Sequence, residues 1–396
     1  MAEPLAAAIG WSSRADATRA GKEAAEAALS RLASFGPHLA IVFGSSRFDQ
    51  SALLQSVHSV LGSTLLAGES TAGEIITDGP ISHSCVVLVI ASEELVCSIG
   101  VGEAVDRVPR EAGQQAAYSA VRGFVGNRRS ALLLFGDGLV TSYADVIRGI
   151  QEVLGTSFLI VGGMAGDDLR FTQTYQYAQD RVMSRAVVGA LLGGSIKVGV
   201  GTEHGFAPIG KPWRITRARG NILYELDHKP AASVYEEYFG HDLLQRIRHE
   251  GLTRQATAYP LGIYYEPTDQ RLLRNVVSFG DDGSLLCSAE ILEGAWLQLM
   301  IGSRTLALEA AHRAAQQAIQ PLNRVSCALI FDSVARRKLL GPQHAAMEIA
   351  CIREVIGPSV PLAGCYTYGE QGPAATAAHE RTAVQTGSVL VVALGI

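Results

Sequence analysis

Long apolar runs are missing from this 396-residue chain. Stretches such as Val86–Ile90 and Ala186–Leu192 fall far short of the about 20 residues that cross a bilayer as a helix, so no membrane insertion is expected. A dominant charge is missing too. Lys and Arg number 33 against 38 Asp and Glu, a net charge of −5, and nothing resembles the basic footprint of a nucleic-acid or anionic-membrane surface. The N-terminus has neither the basic region nor the apolar core of a signal peptide. Cysteine is sparse. Cys85, Cys97, Cys287, Cys327, Cys351 and Cys365 form no CxxC pair and no zinc-like group with histidine. They read as buried free thiols in a reducing cytoplasm.

Familiar catalytic templates are absent as well. Gly68–Gly73 reads GESTAG, which is not the G-x-S-x-G of a nucleophile elbow. There is no GxxxxGK[ST] phosphate loop. Gly199-Val200-Gly201 misses the dinucleotide spacing, and His249-Glu250 lacks the second histidine of a zinc-protease helix. No histidine is recognisably coupled to Ser70. The expectation is therefore that the chain is not an enzyme, the alternative being a hydrolase-like site using Ser70 with an acid from Asp137, Asp167 or Glu370.

What is present is a repeated unit. Residues are 48% hydrophobic and 18% charged, an ordinary globular mix. Ala40–Glu74, Ala131–Asp167 and Ala328–Glu370 each open on an apolar run ending in Phe (Phe43, Phe135, Phe331), the pattern of a buried parallel strand. Each continues into an amphipathic helix. In the second copy Val146, Ile150, Val153 and Leu154 share one helical face. Each helix closes on Leu61-Gly62, Leu154-Gly155 or Ile356-Gly357, a C-cap signal. A second strand and a Gly-rich polar turn end the unit. Ser84–Glu103 and Arg185–His204 match one another and read as two-stranded hairpins.

The fold class expected is α/β, with internally repeated strand–helix–strand units forming two related sheets and a C-terminal α/β domain. The texture changes between Phe206 and Gln320, which suggests an N-terminal segment over 1–30, a domain over 31–225 containing the duplication 40–103 and 131–204, and a second domain over 226–396.

The polar turns follow apolar strands and should gather at strand C-terminal ends, where open α/β sheets bind ligands. Glycine admits close approach, and hydroxyls and acids supply directional bonds. The candidate ligand-binding residues are Ser70, Thr71, Glu74, Asp137, Gly163, Asp167, Asp168, Tyr366, Tyr368 and Glu370. Asp167-Asp168 with Glu74 and Glu370 could also form a carboxylate cluster for a hard cation, although adjacent turn carboxylates point apart. Among the ten histidines, His204 follows a strand and His241 sits beside aromatics. Either neutral imidazole could ligate haem iron.

STAGE (Ser70–Glu74), GGMAGDD (Gly162–Asp168), the run Glu203–Ala231 and YTYGEQGP (Tyr366–Pro373) together resemble the FIST family of sensory proteins, in which a FIST N-terminal domain precedes a FIST C-terminal domain. The resemblance implies a signal-input module that binds a small molecule such as an amino acid. It further implies relay to a partner, a histidine kinase or another signalling protein. A chain without an output domain is similar to haem-binding, nitric-oxide-sensing members, in which a histidine is taken to hold the iron; His204 and His241 are the two candidates. Glu69 and Cys365 depart from the residues expected at those turns.

Overall fold

The computed structural model describes residues 5–32, 36–240, 259–265, 270–374 and 382–396. The repeated unit is there three times, not only in the N-terminal half. The first copy runs from strand Ala6–Ser12 through helix Ala17–Arg31, strand Leu39–Ser45, helix Gln50–Leu61 and strand Leu65–Thr71 to a closing strand, Cys85–Ala91. The second runs from Leu95–Glu103 to Ala186–Gly194 and the third from Lys197–Glu203 to Val389–Gly395. The two related sheets expected from the duplication are present, and the C-terminal α/β part contributes a third of the same plan.

Each sheet places its two central strands parallel, Leu39–Ser45 beside Leu65–Thr71 and likewise in the other units. The intervening helix is the crossover that parallel strands require. Its C-terminal glycine adopts positive φ as expected, at Gly62, Gly155 and Gly357. Helices Ala17–Arg31, Pro109–Gly123 and Arg304–Ile319 bury faces made largely of alanine. That smallness has a partner. A Cβ at Gly102 would lie 1.9 Å from the Ala112 carbonyl oxygen, and one at Gly201 1.9 Å from that of Ala314. The Gly199-Val200-Gly201 run therefore serves close strand–helix packing.

The expected hairpins Ser84–Glu103 and Arg185–His204 do not form. Cys85–Ala91 pairs with Ala6–Ser12 and Leu39–Ser45, while Leu95–Glu103 pairs with Ala186–Gly194 in a different sheet. The short connection carries the chain from one unit to the next. A turn signal reports a reversal, and does not report whether the flanking strands bond to each other.

The three sheets are joined by a cyclic exchange. The small hairpin of the first unit, Glu74–Ile76 with Gly79–Ile81, adds to the third unit's sheet. That of the second, Gln176–Ala178 with Arg181–Met183, adds to the first. That of the third, Gly369–Pro373 with Thr382–Gln385, adds to the second. Phe43, Phe135 and Phe331 meet where the sheets converge, with ring centroids 6.0 to 6.3 Å apart, a favourable edge-to-face range. The change of texture after Phe206 is a fourth, antiparallel sheet inserted into the third unit between Glu203 and helix Arg304–Ile319. It has its own core around Trp213, Leu261 and Leu297.

Candidate functional site

The polar turns do gather, but most of their side chains turn inward and hold the exchange together. In the first unit Thr71 Oγ1 donates to Glu74, whose other oxygen accepts from the Ser84 amide at 3.0 Å and hydroxyl at 2.5 Å. The third unit repeats this. Thr367 donates to Glu370 at 2.6 Å, and Glu370 accepts from the Ser388 amide and hydroxyl at 3.2 and 2.6 Å. Both carboxyls are fully buried. Burial raises them to about 7, against the opposing pull of these donors. In the second unit the same register position is Gln176, opposite Glu69 as Glu370 is opposite Gly163 and Glu74 opposite Cys365. Its carbonyl accepts from the Ala186 amide at 3.2 Å, and its amide group reaches Thr174 at 3.4 Å. Thr71, Glu74 and Glu370 are thus buried and hydrogen-bonded within the protein, away from the surface.

Ser70 is likewise internal, donating to the Gly166 carbonyl and accepting from the Tyr175 amide. Asp137 accepts from the Leu139 and Arg185 amides at 2.9 Å each. Asp167 accepts from the amides of Phe171, Thr172 and Gln173 and from the Tyr368 hydroxyl. Burial opposes its charge, but the Tyr368 hydroxyl and these amides outweigh burial and hold it below the ordinary aspartate value. Asp168 turns away to Ser45, Ser46 and His83. The cation cluster does not assemble: among the described residues no three His, Cys, Asp or Glu side chains converge on one point.

Gly163 lies at the convergence of the three units. A Cβ there would meet Phe331 Cδ1 at 2.6 Å and Glu69 Oε1 at 2.8 Å. Glu69 fills the space that Gly163 leaves, with the Cys365 thiol 3.5 Å from Oε1 and Oε2 without a partner. Burial drives the Glu69 carboxyl well above its ordinary value, against the pull of the Cys365 thiol. The two departures noted in the sequence, Glu69 and Cys365, are therefore contacts of one another.

His204 accepts the Phe206 amide on Nδ1 at 3.0 Å. The proton is then on Nε2, which leaves iron no lone pair, so the geometry does not fit haem at this residue. Burial, with Arg336, Arg271 and Arg313 nearby, lowers His204 to about 4 and keeps it neutral. His241 lies outside the described residues.

Several openings among the described residues are large enough for a metabolite, including one of about 400 Å³ beside Thr202, Glu203 and Gln317 and one of about 330 Å³ beside Asp78, Arg353 and Glu354; another is walled by all three units. That cleft, of about 610 Å³, is lined by Asp78, Gly79 and Pro80 of the first unit, Leu169 of the second, and Val334, Arg337, Lys338, Gly341, Pro342, Ala345 and Ala346 of the third. By contrast, a depression beside Ile147, Arg148 and Glu290 holds about 50 Å³. Arg337 forms the cleft's inner wall. Its guanidinium lies 4.5 Å from the centre of the Tyr366 ring and donates to the Ala72 carbonyl and, at 2.7 Å, the Ser82 hydroxyl. Gly73 permits this approach, since a Cβ there would sit 2.1 Å from Arg337 Nη1. Behind the wall is a buried charge group. Arg336 donates to Asp332 at 3.0 Å, to Glu348, and to the His204 and Ala307 carbonyls. Asp332 is raised by burial and by Glu348, with which it is within hydrogen-bonding reach. The Tyr366 hydroxyl, fully buried, has no partner.

None of the candidates read from the sequence lines this cleft; Tyr366 lies behind its wall, beneath Arg337. Leu169, next to the candidate Asp168, does line it, and the Ala72-Gly73 turn holds Arg337 from behind. Arg336, Arg337, Lys338 and Glu348 were missed. A signal existed: three consecutive cations, Arg336-Arg337-Lys338, stand in the opening turns of a helix, where the macrodipole disfavours positive charge.

The FIST N domain profile matches residues 38–229, and the FIST C domain profile matches 231–373. The chain belongs to the FIST family. FIST domains are sensory domains of signal transduction. An uncharacterized protein of Methanocaldococcus jannaschii is 27% identical over 54% of this FIST chain, a match that spans 44% of that relative's length. An uncharacterized protein of Mycobacterium bovis is 26% identical over 93% of this chain and 94% of its own. Two solved cyanuric acid hydrolases, one from A. caulinodans, align over 99% of the chain and 100% of their own at 11% and 10% identity, with TM-scores of 0.37 and 0.36. Because these neighbours are enzymes, the expectation that the chain is not an enzyme is withdrawn. At those TM-scores the likeness assigns it no activity and no residue role.

Proposed function

We propose that this FIST protein is a signal-input module that binds a small molecule in the 610 Å³ cleft and passes the change to a signalling partner such as a histidine kinase. The cleft carries the reading. Its volume lies within the range of metabolite sites, and all three units contribute to its wall, so a ligand there touches each of them. Amino acids are the first ligands to test. No described helix is long and apolar enough to cross a membrane. Native mass spectrometry of freshly purified protein, followed by hydrogen exchange with an amino-acid panel, tests the proposal. The expected result is a bound small molecule that protects residues 334–346. A protein that carries none and shows no protection with any compound refutes it. An absorption spectrum after expression with haem supply tests the haem variant, and a missing Soret band removes it.

A further inference from the structure

Arg337 and Lys338 line the cleft without a carboxylate partner among the described residues. The one acid on the cleft rim, Asp78, is already paired with Arg353 at 3.3 Å. The described cleft wall thus carries two cations, Arg337 and Lys338, and one carboxylate, Asp78, which is paired with Arg353. The helix beside the cleft adds to the cations. It breaks at Gly341 (φ 70°) and restarts at Pro342, with no side chain able to cap the restart. The first turn of this second half, Pro342 and Ala345, forms part of the cleft wall. A helix start presents partial positive charge. Tyr366, fully buried beneath the Arg337 guanidinium, has an unpartnered hydroxyl.

We infer that the cleft recognises the anionic head of a small molecule, a carboxylate or a phosphate, held by Arg337, Lys338 and the helix restart. This rests on the reading of the cleft as the ligand site. It adds the ligand's charge and a way for binding to be felt. Arg337 now ties the third unit to Ala72 and Ser82 of the first, the residues that bracket the exchanged hairpin Glu74–Ile81. An anion that recruits the guanidinium competes with those two bonds, so occupancy is read at the seam between the units.

The test is titration calorimetry of the full chain with inorganic phosphate and with succinate, using neutral succinamide as the control, in parallel with Arg337→Gln and Lys338→Gln. Both side chains reach solvent, so both variants are expected to fold, as checked by circular dichroism. One anion or both should bind, and succinamide should not. Each substitution should weaken binding about tenfold or more, since a charge-assisted contact is lost, and high salt should weaken it further. Phosphate binding without succinate identifies a phosphate head, and the converse a carboxylate. Hydrogen exchange should show protection at 334–346 and loosening at 72–82. Two results overturn the inference: neither anion binds the wild-type chain, or both Arg337→Gln and Lys338→Gln bind as well as wild type. A neutral or cationic compound that protects 334–346 regardless of Arg337 overturns it while leaving the ligand-site reading intact. The absence of any ligand of any charge removes both.

Discussion

Glu74 and Glu370 make the folded protein sensitive to pH in a calculable way. Each is raised from an ordinary value near 4.5 to about 7 by burial. Between these two pH values the folded chain keeps a proton that the unfolded chain releases. The contribution is fully present below pH 4.5 and is lost as pH rises to 7, at about 1.4 kcal/mol per pH unit per group. Integrated from pH 5 to pH 8, the loss is about 2.5 kcal/mol per residue, about 5 kcal/mol for the pair. Glutamine keeps the shape of the side chain and has no proton to lose. The protein supplies its own control, because Gln176 already occupies the equivalent position and bonds to Thr174 and to the Ala186 amide. The double variant Glu74→Gln/Glu370→Gln should therefore fold. It should gain about 5 kcal/mol relative to wild type between pH 5 and pH 8, read as a shift in the urea midpoint on the order of 1 M. Gln176→Glu should do the reverse and steepen the pH dependence. Parallel pH profiles for wild type and the double variant would show that neither carboxyl titrates in this window, and would refute the reasoning.

Other consequences can be read with the same denaturation assay or simpler ones. Gly163→Ala should destabilise by about 1–3 kcal/mol, because its Cβ meets Phe331, Thr367 and Glu69 at under 3 Å; an unchanged midpoint would mean that the packing around Phe331 relaxes freely. Arg336→Leu should cost about 3–5 kcal/mol, since it leaves Asp332 and Glu348 facing one another without their cation; a loss below 1 kcal/mol would count against that account. Cys85, Cys287, Cys327 and Cys365 are buried while Cys97 and Cys351 are partly exposed, and burial pushes Cys287 and Cys327 up to about 12. A thiol reagent should thus modify at most two sites in the native protein and six after denaturation; rapid native labelling of Cys365 would contradict its burial.

The strand–helix–strand unit was legible because it is encoded locally. Apolar runs ending in Phe43, Phe135 and Phe331, helix periodicity and the C-capping glycines each depend on neighbours within a few residues. The exchange of hairpins was not legible. Glu74–Ile76 and Gln176–Ala178 are three-residue strands, too short to show alternation, and their partners lie in other units. The same blindness misplaced the counterpart of Glu74. The sequence comparison ends the first copy at Glu74 and the second at Asp167, whereas the second unit inserts a loop before the strand resumes, and the register puts Gln176 there. Asp167, Asp168 and Tyr368 belong to that loop and its anchoring, which explains why they resembled a site while bonding only to the protein.

The candidate cleft was half legible for a related reason. Polar side chains attract attention in a sequence because they could meet a ligand, yet at a seam between units they are also what satisfies buried backbone groups. Thr71, Glu74, Ser84 and their third-unit counterparts spend their hydrogen-bonding capacity this way. The groups left with capacity are those whose charge or hydroxyl finds no internal match. Arg337 and Lys338 lack a carboxylate among the described residues, and the Tyr366 hydroxyl lacks a partner. Burying an unmatched polar group is costly, and the Tyr366 hydroxyl is one of several such groups among the described residues; what sets it apart is its place beneath Arg337, which lines a cleft of metabolite size. By that criterion the weight shifts from the turn residues to the start of helix Val334–Ile356, one strand away, where the third unit grips the first.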